Sequence, residues 1–159
     1  MGTTQTGRIL NTKGSDRTVS EYVLVHSVEG AYKNVDSKDP TKPLKLKNGG
    51  HGEDMFKILK KHNIGWRITK IFPNGVRVGN VENHYVLKKR EYNEQLWFPK
   101  HWKKKDILEA AEHVLSLKKN KDAKVGDRIY GMWKGVKVIV IKPDGKHGTI
   151  APAYDQPEE

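Results

Sequence analysis

No apolar run in this 159-residue chain is longer than four residues, and the most apolar, Val138-Ile139-Val140-Ile141, is the length of a strand. A bilayer-spanning helix needs about twenty apolar residues in succession, so none is expected. Met1-Gly2-Thr3-Thr4-Gln5 offers neither a basic lead nor an apolar stretch, so no signal peptide is expected. The chain has no cysteine. That excludes a disulfide framework, a thiol nucleophile and cysteine-ligated zinc, and it leaves packing to hold the core. Lys plus Arg number 30 against 19 Asp plus Glu, a net charge of +11. Such a surplus keeps a chain soluble, and it also attracts a polyanion. Lysines interleaved with Trp and Tyr favour a nucleic acid over an acidic protein or an anionic membrane.

The chain reads as three segments. Residues 1–48 are rich in Gly, Ser, Thr, Asn and Lys, and form a lead-in or small subdomain. They contain one expected strand, Glu21 to Val28, whose Tyr22, Val23, Leu24 and Val25 are strand formers. Asp36 to Pro43 is loop chemistry. Residues 49–154 are the main domain, and residues 155–159 an acidic tail expected to fray. Within the main domain, Glu53 to His62 carries a helical apolar face. Trp66 to Phe72 alternates as a strand, Pro73-Asn74-Gly75 is a turn, and Val76 to Val81 returns as its partner. Residues 82–105 read as an ordered loop. Asp106 opens a helix with Ile107, Leu108, Ala111, Val114 and Leu115 on one face. Asp127 to Trp133, Val136 to Lys142 and Lys146 to Ile150 make a meander. Helices and strands are segregated, so the expected class is α+β with antiparallel sheets.

The chemistry narrows by elimination. The seven histidines show no metal-ligand spacing, and no metal or other cofactor is expected. There is no phosphate-binding Gly-x-x-x-x-Gly-Lys loop and no Gly-x-Ser-x-Gly elbow. Histidine acid–base chemistry remains. RNA carries its own nucleophile, the 2′-OH, and two histidines can supply the base and the acid for its attack on the adjacent phosphate. His51 is the stronger candidate, because Gly49, Gly50 and Gly52 let the backbone approach a ligand and a helix N-terminus follows. His84 lies after a strand among basic residues. Trp97, Trp102 and Trp133 can stack bases or serve as core anchors. A non-catalytic RNA-binding module is the alternative. A DNA nuclease would need a metal or an activated water in place of the 2′-OH, and no carboxylate cluster supports one.

Five segments in order resemble the bacterial branch of the EndoU ribonuclease family. They are Gly49-Gly50-His51-Gly52, Asn74 to Val81 with His84 following, Gln95 to Trp102, Tyr130 to Val138, and Gly145 to Pro152. The resemblance implies a nuclease fold of antiparallel sheets with packed helices, and RNA cleavage that leaves a 2′,3′-cyclic phosphate. It implies His51 and His84 as the catalytic histidines, their acid and base labels open, and Thr149 of the Gly148-Thr149 strand at the phosphate or base. Lys100, before the long helix, is the implied lysine, with Lys134 its rival. Arg77, Gln95, Lys134 and Tyr154 are assigned to substrate contact. Family members that prefer uridine carry an aromatic near this strand's proline, where this chain reads Ile150-Ala151-Pro152 with Tyr154 beyond. The resemblance also implies a toxin domain at the C-terminal end of a larger secreted chain. It would act in the cytoplasm of a target cell on cellular RNA, tRNA among the candidates, and be neutralised by a cognate immunity protein expected to be acidic.

Overall fold

The structure is a computed structural model that describes residues 19–34 and 44–158. Four α-helices are described: α1 (Glu21–Glu29), α2 (Asp54–Lys61), α3 (Leu87–Glu91) and α4 (Lys104–Ser116). The strands are β1 (Ala31–Asn34), β2 (Leu44–Asn48), β3 (Trp66–Ile71), β4 (Arg77–Val81), β5 (Gln95–Trp97), β6 (Arg128–Trp133), β7 (Val136–Ile141) and β8 (Thr149–Pro152). They form three antiparallel sheets, β1-β2, β3-β4-β5 and β6-β7-β8. The α+β class and the antiparallel pairing are as the sequence indicates. The loop chemistry of Asp36 to Pro43 lies outside the described residues.

Glu21 to Glu29 is a helix and not the expected strand. The Ser20 hydroxyl caps it by accepting from Val23 N at 3.1 Å, and Glu21 sits in the first turn where the helix dipole favours a carboxylate. Val23, Leu24, Ser27 and Val28 are buried at helical spacing. A run of β-formers carries only a weak preference, and the cap together with tertiary packing overrides it.

The larger core joins α1 and α4 to the β6-β7-β8 sheet through Val19, Val23, Val28, Ile107, Ala111, Val114, Val138, Val140 and Ile150. In β7, Val136, Val138 and Val140 are buried while Lys137, Ile139 and Ile141 are only partly so. In β8, Ile150 and Pro152 are buried and Thr149 and Ala151 are partly exposed. This period of two turns one face of the sheet to the core and leaves the other to form a cleft. A smaller core under α2 joins Leu46, Met55, Leu59, Val81 and Trp97, with the Trp97 indole N–H on the Met55 sulfur at 2.9 Å. Trp97 and Trp102 are thus buried in the cores and are not open to bases. The segment read as a loop over 82–105 contains α3 and β5, and the latter is the third strand of its sheet.

The acidic tail is docked. Gln156 is 5% exposed. Its amide donates to the Lys137 and Ala153 carbonyls and accepts from Asn74 Nδ2 and Lys137 N, all within 2.9 Å. Lys70 pairs with Glu158 at 2.8 Å and Lys137 with Asp155. One buried amide therefore ties the β3–β4 turn to β7. A Gln156→Leu variant, which orphans partners on both, should lose about 2 kcal/mol or more of unfolding free energy in urea. A frayed tail would show no change.

Candidate active site

A cleft of about 590 Å³ opens on the outer face of the β6-β7-β8 sheet. Arg128, Tyr130 and Thr149 line its floor, His51 and Lys89 its opposite wall, and Tyr154 its rim. The register explains the floor, since Arg128, Ile141 and Thr149 share one rung across the three strands.

His51 is held by the last turn of α1. The amides of Gly50, His51 and Gly52 donate to the carbonyls of His26, Ser27 and Val28 at 3.2, 2.6 and 3.0 Å. Helices end with unpaired carbonyls, and this loop pairs those of Ser27 and Val28 and shares that of His26 with the Gly30 amide. Gly49 lies at φ +70°, and a Cβ there would fall 2.2 Å from the His26 carbonyl oxygen. A Cβ on Gly52 would fall 2.7 Å from a Val28 methyl. The glycines around His51 therefore admit α1, not only a ligand. Ser27 also accepts from Ile150 N through its hydroxyl at 2.9 Å, so α1 fixes β8 next to Thr149 as well.

His51 is buried, and its Nδ1 lies 2.8 Å from the Leu96 carbonyl. A carbonyl can only accept, so Nδ1 carries the proton and Nε2 keeps its lone pair. Burial, with the Lys89 ammonium adding to it, pushes the His51 pKa down to about 3 against the opposing Leu96 bond. His84 holds the opposite tautomer. Its Nδ1 accepts from Val86 N at 2.9 Å, so its proton is on Nε2, which is buried without a partner. Burial, then Lys89 and Arg90, push the His84 pKa down to about 4. His84 stands behind the cleft wall, with Val86 on the cleft side. His26, half-buried on α1, has a pKa lowered by burial, and its ring lies against Gly49.

Lys89 is the residue that sequence reasoning missed. Its ammonium donates to the Glu94 carbonyl at 2.9 Å, and the Tyr154 hydroxyl donates to the same oxygen at 2.9 Å. One carbonyl thus brings a cation and a phenol together at the cleft. Burial lowers the Lys89 pKa, and burial with Glu94 raises that of Tyr154 to about 12. The spacing of five from His84 was the available signal, but only the phase of α3 separates Lys89 from exposed Lys88. Arg128 and Tyr130 were also missed, since only strand register turns them to the cleft.

The other expected contacts lie elsewhere. Lys100 is exposed and does not line the cleft. Lys134 sits in the β6–β7 turn, 3.6 Å from Asp106. It lies at the far end of the hairpin from Thr149, roughly 17 Å away at strand rise. Arg77 is buried, with Nη1 on Glu53 at 2.7 Å and Nη2 on the Phe98 carbonyl at 2.6 Å. Gln95 is buried and donates to the Gly49 and Gly50 carbonyls at 3.2 and 2.7 Å. Arg77 brackets α2, and Gln95 braces the His51 loop; neither reaches the cleft. His51, Thr149 and Tyr154 are the sequence candidates that meet there.

Two outcomes follow from the histidines. Imidazole ¹⁵N shifts should report opposite neutral tautomers, Nδ1–H for His51 and Nε2–H for His84, down to about pH 5. Both folded pKa values lie below the ordinary 6.5. The unfolded chain therefore binds protons first, and stability present above pH 6.5 is lost as pH falls toward 4 and then 3. A His51→Gln variant should show a shallower loss over that window in urea titrations, by an amount on the order of a few kcal/mol.

The family model described as "Bacterial EndoU nuclease" matches residues 26–158. No curated protein and no solved structure matches the chain. The match begins inside α1 and takes in His51, His84, Lys89, Thr149 and Tyr154, so the α+β architecture and the cleft both lie within it. The chain belongs to the bacterial EndoU nuclease family.

Proposed function

We propose that the chain is an endoribonuclease that cuts cellular RNA by internal attack of the 2′-OH, leaving a 2′,3′-cyclic phosphate. The observation that carries this reading is His51, whose Nδ1 is tied to Leu96 while the ring faces a cleft shared with Lys89, Thr149 and Tyr154. A neutral imidazole with its Nε2 lone pair free can accept a proton, and the charge of an entering phosphodiester raises its depressed pKa toward working pH. His51 Nε2 takes the 2′-OH proton, the 2′-oxygen bonds to phosphorus, and the bond to the 5′-oxygen breaks. The Lys89 ammonium offsets charge on the phosphorane, with Thr149 and Tyr154 beside it.

His84 returns a proton to the leaving 5′-oxygen. Its low pKa owes part of its shift to Lys89 and Arg90, and an entering phosphodiester offsets both charges. Protonation at Nδ1 ends acceptance from Val86 N and so loosens the wall between His84 and the cleft. The orphaned Nε2–H then has an oxygen to meet.

The test is end-mapping of RNA incubated with the protein. Cyclic-phosphate ends are expected, and binding without cleavage would replace this reading with an RNA-binding module. His51→Ala and His84→Ala should each slow cleavage by about 10²–10⁴-fold. Lys89→Met should cost about 10²-fold or more, while Lys100→Met should stay within about twofold. The reverse pattern for the two lysines would return Lys100 to the site.

The wider context is part of the same proposal: a toxin domain delivered into a target cell, acting on RNA such as tRNA. The +11 charge supports an acidic immunity partner covering the cleft. Its association should slow as salt rises.

A further inference from the structure

Arg128 is a cation on the cleft floor that the proposed cleavage step does not use. It is exposed on the outer face of β6, while Ile129 beside it turns to the core. Its rung continues through Ile141 to Thr149, so Arg128 and Thr149 stand on the same face with one apolar side chain between them. Two strand spacings put their Cα atoms about 10 Å apart. The next rung, Tyr130-Ile139-Ala151, also lines the cleft and carries no charge. The Lys137 ammonium lies 5.3 Å from the Tyr130 ring centroid and is itself paired with Asp155. Asp155, also in the lining, is thereby spent on Lys137. Among the described residues no carboxylate forms an ion pair with the Arg128 guanidinium. Its charge does reach the Tyr154 hydroxyl at the rim, where it opposes the rise in that pKa.

In the cleavage reading the scissile phosphate sits by His51, Lys89 and Thr149. Arg128 stands across Ile141 from Thr149, beyond the reach of that one phosphate's binding groups. RNA carries a charge at every link, and an apolar strip between two cationic ends suits the flat face of a nucleoside. A guanidinium fork also takes two phosphate oxygens at once, as an ammonium does not. We propose that Arg128 binds the phosphate next to the scissile one, so that the cleft holds two consecutive phosphates with a nucleoside over Ile141 and Tyr130 between them. This assignment rests on the RNA-cleaving reading and makes Arg128 a substrate-binding residue of the same site.

The test uses a dinucleoside monophosphate, which carries only the scissile phosphate, and the same molecule bearing a 5′- or a 3′-terminal phosphate. In the wild type one of the two added phosphates should raise kcat/KM about tenfold over the parent. Arg128→Gln should bring that ratio close to one, and Arg128→Lys should keep only part of it. A wild-type ratio near one for both added phosphates, or a ratio that Arg128→Gln leaves unchanged, overturns the proposal. A second readout needs no cleavage. Binding of a hexanucleotide is measured against salt in His51→Ala and in the same protein carrying Arg128→Gln as well. The added substitution should make the slope of log K against log salt shallower by about 0.7, the loss of one phosphate contact. An unchanged slope overturns the subsite while leaving RNA cleavage standing. A shallower slope, in a chain whose wild type never cuts RNA, keeps Arg128 as a phosphate contact and overturns the cleavage reading.

Discussion

Three backbone hydrogen bonds organise the rest of the molecule. Gly50, His51 and Gly52 donate to the final carbonyls of α1, and the close approach needs glycine on either side of the histidine. A helix end is normally satisfied by water or by its own C-cap turn. Here Gly30 N caps the His26 carbonyl and the His51 loop satisfies those of Ser27 and Val28, so the loop cannot wander without reopening the helix terminus. Ser27, on the same turn, fixes Ile150 of β8. Gln95 braces the loop from the other side through the Gly49 and Gly50 carbonyls. The position of His51 relative to Thr149 is therefore set by rigid elements.

The electrostatics of the cleft centre on Lys89. Burial depresses both His51 and His84, and the partly desolvated Lys89 adds to it in each. Its ammonium and the Tyr154 hydroxyl spend hydrogen bonds on a neutral carbonyl, that of Glu94. Asp155 also lines the cleft, but its carboxylate is paired with Lys137, and the Glu94 carboxylate acts on Lys89 and Tyr154. The opposite tautomers of the two histidines are each set by one backbone partner, the Leu96 carbonyl for His51 and the Val86 amide for His84.

The sequence carried much of this, unevenly. The strand-sized apolar run Val138 to Ile141, the Pro73-Asn74-Gly75 turn and the apolar face after Asp106 all became the elements they indicated. His51 was legible because glycines flank it, and Thr149 because the Gly148-Thr149 strand resembles the family's. Lys89 was not, because an amphipathic phase is unreadable in a five-residue helix. Arg77 and Gln95 were placed at the substrate because polar residues in a family-like segment look functional. Their burial and their hydrogen bonds to backbone carbonyls arise only from tertiary packing. The tail looked frayed because a single buried glutamine leaves no pattern in five polar residues.

The strand expected at Glu21 to Val28 is the most instructive difference. Read as a strand, residues 1–48 are a detachable lead-in. Read as α1, their last part is the floor on which the His51 loop rests. Val19, Val23 and Leu24 are each at most 3% exposed and belong to the larger core with α4 and β7. Burying such side chains contributes about 1.5–3 kcal/mol apiece. The family match starts at residue 26, after these three residues. The packing thus extends the folded unit upstream of the match, to Val19 at least. His51 depends on the carbonyls of a helix whose first anchors, Val23 and Leu24, lie before the stretch by which the family is recognised.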